Sequence, residues 1–203
     1  MNIYHLVALT TALSMSAPGT LSIFDRPWTV PDTADWKIER EDGIGVLHLA
    51  HPRDALPGPR RPIQFALTEI PRYRTLTVEA DVKPLQKSLM IVFAYQDAAH
   101  FDYAHLSIDR AENVAVHNGI FHVYGGERVR ISAPDGPPAF AQSERWYHAV
   151  LTHDATSGAV SVTVDGKPVP ALHAVDVSLG AGKIGFGSFD ETAQFKNVRI
   201  TTQ

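Results

Sequence analysis

Short segments in which apolar and polar residues alternate, separated by turn-forming residues about every ten positions, make up most of this chain. In the segment 76–82, for example, the apolar positions are Leu76, Val78, Ala80 and Val82. Alternation with a period of two gives a strand one buried face and one solvent-facing face. Because no stretch shows sustained helical periodicity, the sequence predicts an all-β sandwich or barrel of about a dozen short strands.

The C-terminal part shows this pattern most clearly. Strands are predicted at 146–153 and 160–164, and Asp165-Gly166 then forms a dipeptide typical of tight hairpin turns. Four prolines between 51 and 62 predict a loop without sheet pairing. The same criteria predict further strands at 36–38, 45–50, 63–68, 76–82, 89–95, 101–108, 113–117, 120–124, 128–132, 183–189 and 195–201.

Composition limits the classes of function. The 203 residues suit one all-β domain, and a hydrophobic content of 44% is enough to fill its core. The formal charge of −4 argues against a nucleic-acid partner and against a polybasic membrane anchor, since both need clustered basic residues. The chain has no cysteine, which excludes disulfides, thiolate nucleophiles and zinc–thiolate sites.

The N-terminal segment is uncharged as far as position 19, with a short apolar run at 6–13 followed by small residues. This arrangement resembles a secretory signal peptide, although His5 is the only residue where basic ones are usual. The run is too short to span a bilayer, and a disordered or packed N-terminal segment is the alternative. We therefore predict a signal peptide at 1–19, a single domain at 20–203, no membrane span, and a periplasmic or secreted location.

Six segments between Ser88 and Ile200 carry a family resemblance. They read VFAYQD at 92–97, HFDY at 100–103, WYHAV at 146–150, VDGKPV at 164–169, GKIGFG at 182–187 and FKNVRI at 195–200. In order and spacing, this part of the chain resembles concanavalin A-like lectin and glucanase domains, of the laminin-G and 3-keto-disaccharide hydrolase type. The resemblance implies a jelly-roll β-sandwich of two antiparallel sheets. It implies little about activity, because this scaffold carries binding proteins, hydrolases and lyases alike.

Three predicted strands, at 101–108, 120–124 and 128–132, carry aromatic and polar residues between their apolar ones. If Ala104, Phe121 and Val129 point into the core, the alternating side chains share the opposite face. Aromatic rings stack on sugars, Arg, His and Asn donate hydrogen bonds in fixed directions, and Arg pairs with the carboxylate of a uronic acid. The sequence therefore predicts a surface for a poly- or oligosaccharide, with a solvated sheet face as the alternative. Its residues are Tyr103, His105, Asn118, His122, Tyr124, Arg128 and Arg130.

The same residues also allow a catalytic alternative. Elimination from a uronide needs a group that neutralises the carboxylate and a base that removes the C5 proton. A polysaccharide lyase of this kind would use Tyr103, His105, His117 and Arg130. A glycoside hydrolase is a further alternative, but the chain lacks the closely spaced carboxylates of laminarinase-like glucanases. A laminin-G-like adhesion module without enzymatic activity would instead expose an apolar patch.

The ten histidines form no HExxH-type ligand pattern, which indicates scattered surface imidazoles. None of these functions requires a cofactor. Related sandwiches often bind a structural calcium ion through loop carboxylates and carbonyls. The resemblance therefore points to Asp190, together with Asp25 near the first strand, as calcium ligands, and solvated turns are the alternative.

Overall fold

Fifteen strands in residues 18–53 and 61–203, the part that this computed structural model describes, form two antiparallel sheets. A single 3-10 turn, Thr33–Asp35, precedes the strand that begins at Trp36. In spatial order, the eight-stranded sheet contains β1 (Gly19–Ile23), β2 (Arg26–Val30), β5 (Gln64–Thr68), β14 (Lys183–Ser188), β7 (Ser88–Asp97), β8 (His100–Ser107), β9 (Gly119–Tyr124) and β10 (Glu127–Arg130). The seven-stranded sheet contains β13 (Lys167–Val175), β12 (Ala159–Val164), β11 (Tyr147–Asp154), β6 (Thr75–Pro84), β15 (Ala193–Thr202), β4 (Ile44–Leu49) and β3 (Trp36–Glu41).

The main core lies between the two sheets, as the alternation in the sequence predicts. On β6 every second side chain is buried, from Leu76 to Val82. These side chains join Ile91 and Phe93 of the eight-stranded sheet in one apolar cluster. Burial of this much apolar surface supplies the main favourable term in folding. The all-β sandwich of two antiparallel sheets is therefore confirmed.

A second apolar cluster covers the outer face of the eight-stranded sheet, on the side away from the seven-stranded sheet. Its members are Phe65, Met90, Val92, Phe101, Tyr103, Phe121, Val123 and Phe189. As a result, seven consecutive residues of β7, from Ser88 to Ala94, are buried. Apolar side chains on this sheet therefore point to both of its faces.

The predicted strands are confirmed with one exception. Residues 113–117 form a turn, in which the backbone N–H groups of Asn113 and Val114 both donate to the carbonyl of Arg110. The sequence also missed β1, β2 and β13. Strand β13 contains Pro168 and Pro170, which cannot donate to a sheet ladder, and it is tolerated because it lies at the edge of its sheet.

Two sequence predictions fall on parts of the chain without a described structure. The predicted signal peptide lies outside the described residues except for its last two positions, and the middle of the predicted proline-rich loop, 54–60, is also outside them. In the part of the chain that is described, no helix is long and apolar enough to cross a membrane.

Strand order brings several connections to one end of the sandwich. Strands β7 and β8 pair through Asp97 and His100, and β9 pairs with β10 through Tyr124 and Glu127. The chain that follows β13 reaches the same end, because Asp176 contacts His122 on β9. We call this end the Asp97 rim: the turn 98–99, the turn 125–126 and the loop 176–182, with the strand ends that flank them.

Candidate functional site

The residues of the predicted sugar-binding face lie on two different faces of the eight-stranded sheet. Tyr103 pairs with Phe121, and Phe121 pairs with Arg130, so these three side chains share the outer face. His122 pairs with Asp102 and lies on the inner side, as does Tyr124 two residues later. The prediction of one common face is therefore wrong. Its error lies on β9, where Phe121 and Val123 belong to the second apolar cluster rather than to the main core.

Tyr103 and His105 are sealed beneath the outer face, with relative exposures of 0% and 2%. His105 contacts the carbonyl of Val116 through Nδ1 at 2.7 Å and the hydroxyl of Ser88 through Nε2 at 2.9 Å. Burial lowers the pKa of His105 to about 3 and raises the pKa of Tyr103 to about 12. Neither side chain is accessible as the base that the lyase alternative requires.

The guanidinium group of Arg130 is hydrogen-bonded to the protein backbone. All five of its N–H groups donate to carbonyl oxygens, at donor–acceptor distances between 2.5 and 3.1 Å. The carbonyls belong to Ala115, His117, Asn118, Ser132 and Ala133. Arg130 therefore holds the loop before β9 to the segment after β10, and no donor is left for a uronate.

Asn118 and His117 belong to the same structural loop. The Asn118 side chain is fully buried and hydrogen-bonds to backbone groups of Ser107, Asp109 and Ala139. His117 Nδ1 lies 2.8 Å from Asp109 Oδ2, and its ring lies 4.8 Å from the ring of His105. These contacts organise the loop before β9, so the geometry gives both residues structural roles.

On the outer face, the buried hydroxyl of Tyr103 interacts with Arg128, another member of the predicted set. The guanidinium group of Arg128 packs against two aromatic rings. It lies 5.1 Å from the ring of Phe189 and 5.6 Å from that of Phe121. Both rings are almost completely buried, so they offer no stacking surface to a sugar.

On the inner side of the sheet, His122 and Tyr124 form part of a cluster at the Asp97 rim. Tyr124 is 58% exposed, and its ring stacks on the ring of His122 with 5.7 Å between centroids and an angle of 22°. The ring of His100 meets Tyr124 edge-on at 4.8 Å. His100 Nδ1 lies 3.0 Å from Asp97 Oδ1. An exposed aromatic ring thus lies among imidazole and carboxylate groups.

Two carboxylates contact the ring nitrogen of His122. Nδ1 lies 2.7 Å from Asp102 Oδ1 and 2.7 Å from Asp176 Oδ2. Asp102 is almost completely buried, and desolvation, reinforced by the charge of Asp176 and opposed by His122, raises its pKa to about 7. Sequence reasoning missed both aspartates. A charged residue between Phe101 and Tyr103 was a local signal for Asp102, whereas Asp176 comes from the other sheet and had none.

A cleft of about 520 Å³ lies on the same side of the fold, at the ends of β5, β7 and β14. Its polar lining includes Arg72, Gln96 and Lys183. Gln96 fixes one wall, because its amide donates to the carbonyls of Leu179 and Ala181 in the loop 176–182. The loop 176–182, which carries Asp176, therefore borders both this cleft and the cluster of His100, His122 and Tyr124.

The predicted calcium ligands, Asp25 and Asp190, are not members of the group of possible metal ligands that the described residues form. Asp25 lies in the β1–β2 turn, beside a cleft of about 650 Å³, and Asp190 follows β14. In the described part of the chain, the one group of three carboxylate or imidazole side chains close enough to share a metal ion is Asp102, His122 and Asp176. The geometry thus favours Asp102, His122 and Asp176 as metal ligands in place of Asp25 and Asp190.

Comparison with known proteins supports the fold and leaves the family open. No protein-family model and no curated protein sequence matches this chain. Carbohydrate-binding module CBM66 from Bacillus subtilis has a TM-score of 0.55 and 20% identity, over 93% of this chain and 98% of that one.

Two further solved structures are similar. A protein of unknown function with a galectin-like fold, from Bacillus subtilis, has a TM-score of 0.50 and 19% identity, over 83% of this chain and 86% of that one. The GH43 protein BlXynB from Bacillus licheniformis has a TM-score of 0.56 and 11% identity, over 87% of this chain but 37% of that one. At these identities the likeness establishes a shared β-sandwich fold.

Proposed function

We propose that this protein binds carbohydrate at the Asp97 rim, with the ring of Tyr124 as its stacking platform. The observation that carries the proposal is the 58% exposure of this ring while it lies against the ring of His122. A tyrosine with a free face and a fixed orientation offers the flat apolar surface on which a sugar ring can stack. Orientation fixed before binding also reduces the entropy that binding would otherwise lose.

The groups around Tyr124 suit the hydroxyls of a neutral sugar. Asp97 is a half-exposed hydrogen-bond acceptor beside His100. Carboxylates accept hydrogen bonds from sugar hydroxyls but repel the carboxylate of a uronic acid. The reason for preferring a uronate is lost, because all five donors of Arg130 bind carbonyls and Arg128 lies on the face opposite Tyr124. We therefore propose a neutral poly- or oligosaccharide as the ligand.

Binding is favoured over turnover by the arrangement of the carboxylates. Asp102 and Asp176 are both directed at the same nitrogen of His122. Glycosidases instead place two carboxyl groups on opposite sides of the scissile bond. The likeness to a carbohydrate-binding module agrees with a binding role. Because polysaccharides are largely extracellular, the proposal also agrees with the predicted signal peptide and extracytoplasmic location.

Affinity gel electrophoresis with neutral and uronate polysaccharides tests the proposal. Wild-type protein should be retarded by at least one neutral polymer, and Tyr124→Ala should weaken this binding about tenfold. Tyr124→Phe keeps the ring and should bind nearly as wild type. Ile38→Ala is the matched control, because Ile38 is 49% exposed on the seven-stranded sheet. Equal retardation of wild type and Tyr124→Ala, or no retardation by any neutral polymer, would contradict the proposal.

A further inference from the structure

Three ligand atoms from both sheets converge at the Asp97 rim. Asp102 and His122 are cross-strand partners on β8 and β9, and Asp176 directly follows β13 of the other sheet. One oxygen from each aspartate and Nδ1 of His122 all lie within 4.8 Å of one another. Residues so distant in sequence come together only in the folded protein.

The charges in this group are not balanced by the protein itself. No Lys or Arg of the described residues forms an ion pair with Asp102 or Asp176, and in that part of the chain the imidazole of His122 is the one basic side chain that pairs with them. The side chain of Asp102 is 2% exposed, and that of Asp176 is 12% exposed. Burying two charged carboxylates beside one imidazole is unfavourable unless a further positive charge, from a proton or a cation, is present.

One proton on Nδ1 cannot satisfy two carboxylates. A neutral imidazole carries a single N–H, which can point at one acceptor with good geometry, yet two oxygens lie 2.7 Å from the same nitrogen. A divalent cation in place of that proton would contact all three groups, and its charge of +2 would neutralise both carboxylates. Two carboxylate oxygens directed at one imidazole nitrogen are therefore the arrangement expected of a metal site.

The orientation of two of these ligands is already fixed. The second oxygen of Asp176, Oδ1, accepts hydrogen bonds from the backbone N–H of Ser178 at 2.7 Å and from its hydroxyl at 2.5 Å. These bonds direct Oδ2 toward His122. The ring of His122 is held by its stacking on Tyr124. Outer groups that orient the ligands in this way are typical of protein metal sites.

We propose that Asp102, His122 and Asp176 bind a divalent transition-metal ion of the zinc class. Imidazole nitrogen and carboxylate oxygen are zinc ligands, whereas calcium takes oxygen ligands and would not use His122. Three protein ligands leave a fourth position open. Because the ligands come from both sheets, the bound ion would cross-link them and stabilise the folded state.

Titration calorimetry with zinc chloride on the untagged full chain, after treatment with a chelator, tests this proposal. We expect one zinc ion per chain and a higher melting temperature in zinc than in chelator. Asp176→Asn should weaken zinc binding at least tenfold while the circular dichroism spectrum stays that of the wild type. His122→Gln is a second variant with the same expected loss.

His148→Gln is the matched control. His148 also forms a cross-strand pair with an aspartate, with 3.1 Å between its Nδ1 and Asp81 Oδ1, but no second carboxylate reaches its ring in the described structure. This variant should bind zinc as the wild type does. The proposal fails if the wild type neither binds zinc nor melts higher in it, or if folded Asp176→Asn and His122→Gln bind zinc unchanged. Zinc titration needs no sugar, so its outcome is independent of the proposed carbohydrate binding.

Discussion

Tyr103 and Phe121 lie opposite each other on β8 and β9, with ring centroids 5.2 Å apart and ring planes inclined by 11°. Both rings belong to the second apolar cluster, on the outer face of the eight-stranded sheet. Because side chains alternate along a strand, this pairing directs Asp102 and His122 to the inner side. The position of the polar residues on these strands thus follows from where two aromatic rings pack.

Removing the hydroxyl of Tyr103 should stabilise the protein. This oxygen is buried and makes no hydrogen bond of standard geometry among the described residues. Its interaction with the guanidinium group of Arg128 compensates its desolvation only in part, since burial still raises the pKa of Tyr103 to about 12. We expect Tyr103→Phe to raise the free energy of unfolding by up to about 1 kcal/mol. Urea unfolding measures the change.

Tyr73→Phe is the matched control for Tyr103→Phe. The hydroxyl of Tyr73 is bonded, at 3.0 Å from Nδ1 of His153, and its removal leaves that nitrogen without a partner. We expect Tyr73→Phe to lower the free energy of unfolding by about 1 kcal/mol. If Tyr103→Phe were destabilising to the same extent, the Tyr103 hydroxyl would have to be hydrogen-bonded.

Replacement of Arg130 by lysine should be strongly destabilising. The guanidinium group donates hydrogen bonds to five carbonyl oxygens. The ammonium group of lysine has only three donors, and they do not lie in one plane. We expect Arg130→Lys to lower the free energy of unfolding by at least about 2 kcal/mol. Arg128→Lys, on the same strand and face, should change it by less than about 1 kcal/mol, because Arg128 packs on the rings of Phe121 and Phe189 and donates to no backbone carbonyl in the described structure. Equal effects in denaturant unfolding would argue against the structural role of Arg130.

A methyl group at position 119 should disturb the same interaction. A Cβ atom on Gly119 would lie 2.4 Å from Nη1 and 2.6 Å from Cζ of Arg130. The guanidinium group cannot move aside without breaking its bonds to carbonyls, so Gly119→Ala should cost about 2 kcal/mol of unfolding free energy. In an Arg130→Lys background the cost should be clearly smaller, and a double-mutant cycle measures this. Additive effects would show that the two positions are independent.

Buried His105 should make the protein less stable in mild acid. Its pKa is lowered from 6.5 to about 3, so between these values the unfolded chain binds a proton that the folded protein does not. Stability therefore rises with pH in this window and falls as the pH drops below 6.5. From pH 7 to pH 5 this residue should account for a loss of about 2 kcal/mol.

Urea unfolding at pH 7 and pH 5 measures this loss, with His105→Gln for comparison. Glutamine does not titrate, so the variant should lose about 2 kcal/mol less than the wild type between the two pH values. The lowered pKa of buried His153 acts in the same direction in both proteins and cancels in the comparison. Identical pH dependence in the two proteins would show that His105 takes up a proton in the folded state.

The sequence by itself determined most of the strands and the core between the sheets. On β6, β11 and β12, every second residue is buried against the other sheet, and a period of two is visible without any structure. Strand β13 was missed because Pro168 and Pro170 indicate a break, while an edge strand tolerates proline. Local pattern was thus sufficient for β6, β11 and β12, where apolar residues recur at every second position along the strand.

Only the tertiary structure decided which side of the eight-stranded sheet each polar residue occupies, and hence where the candidate site lies. Alternation shows which side chains share a face, but it does not show which face that is when both are apolar, as on β7 and β9. Asp176 belongs to a loop beyond the other sheet, and no local signal links it to His122. Packing of the two sheets brings these residues together, and with them the proposed sites for carbohydrate and metal.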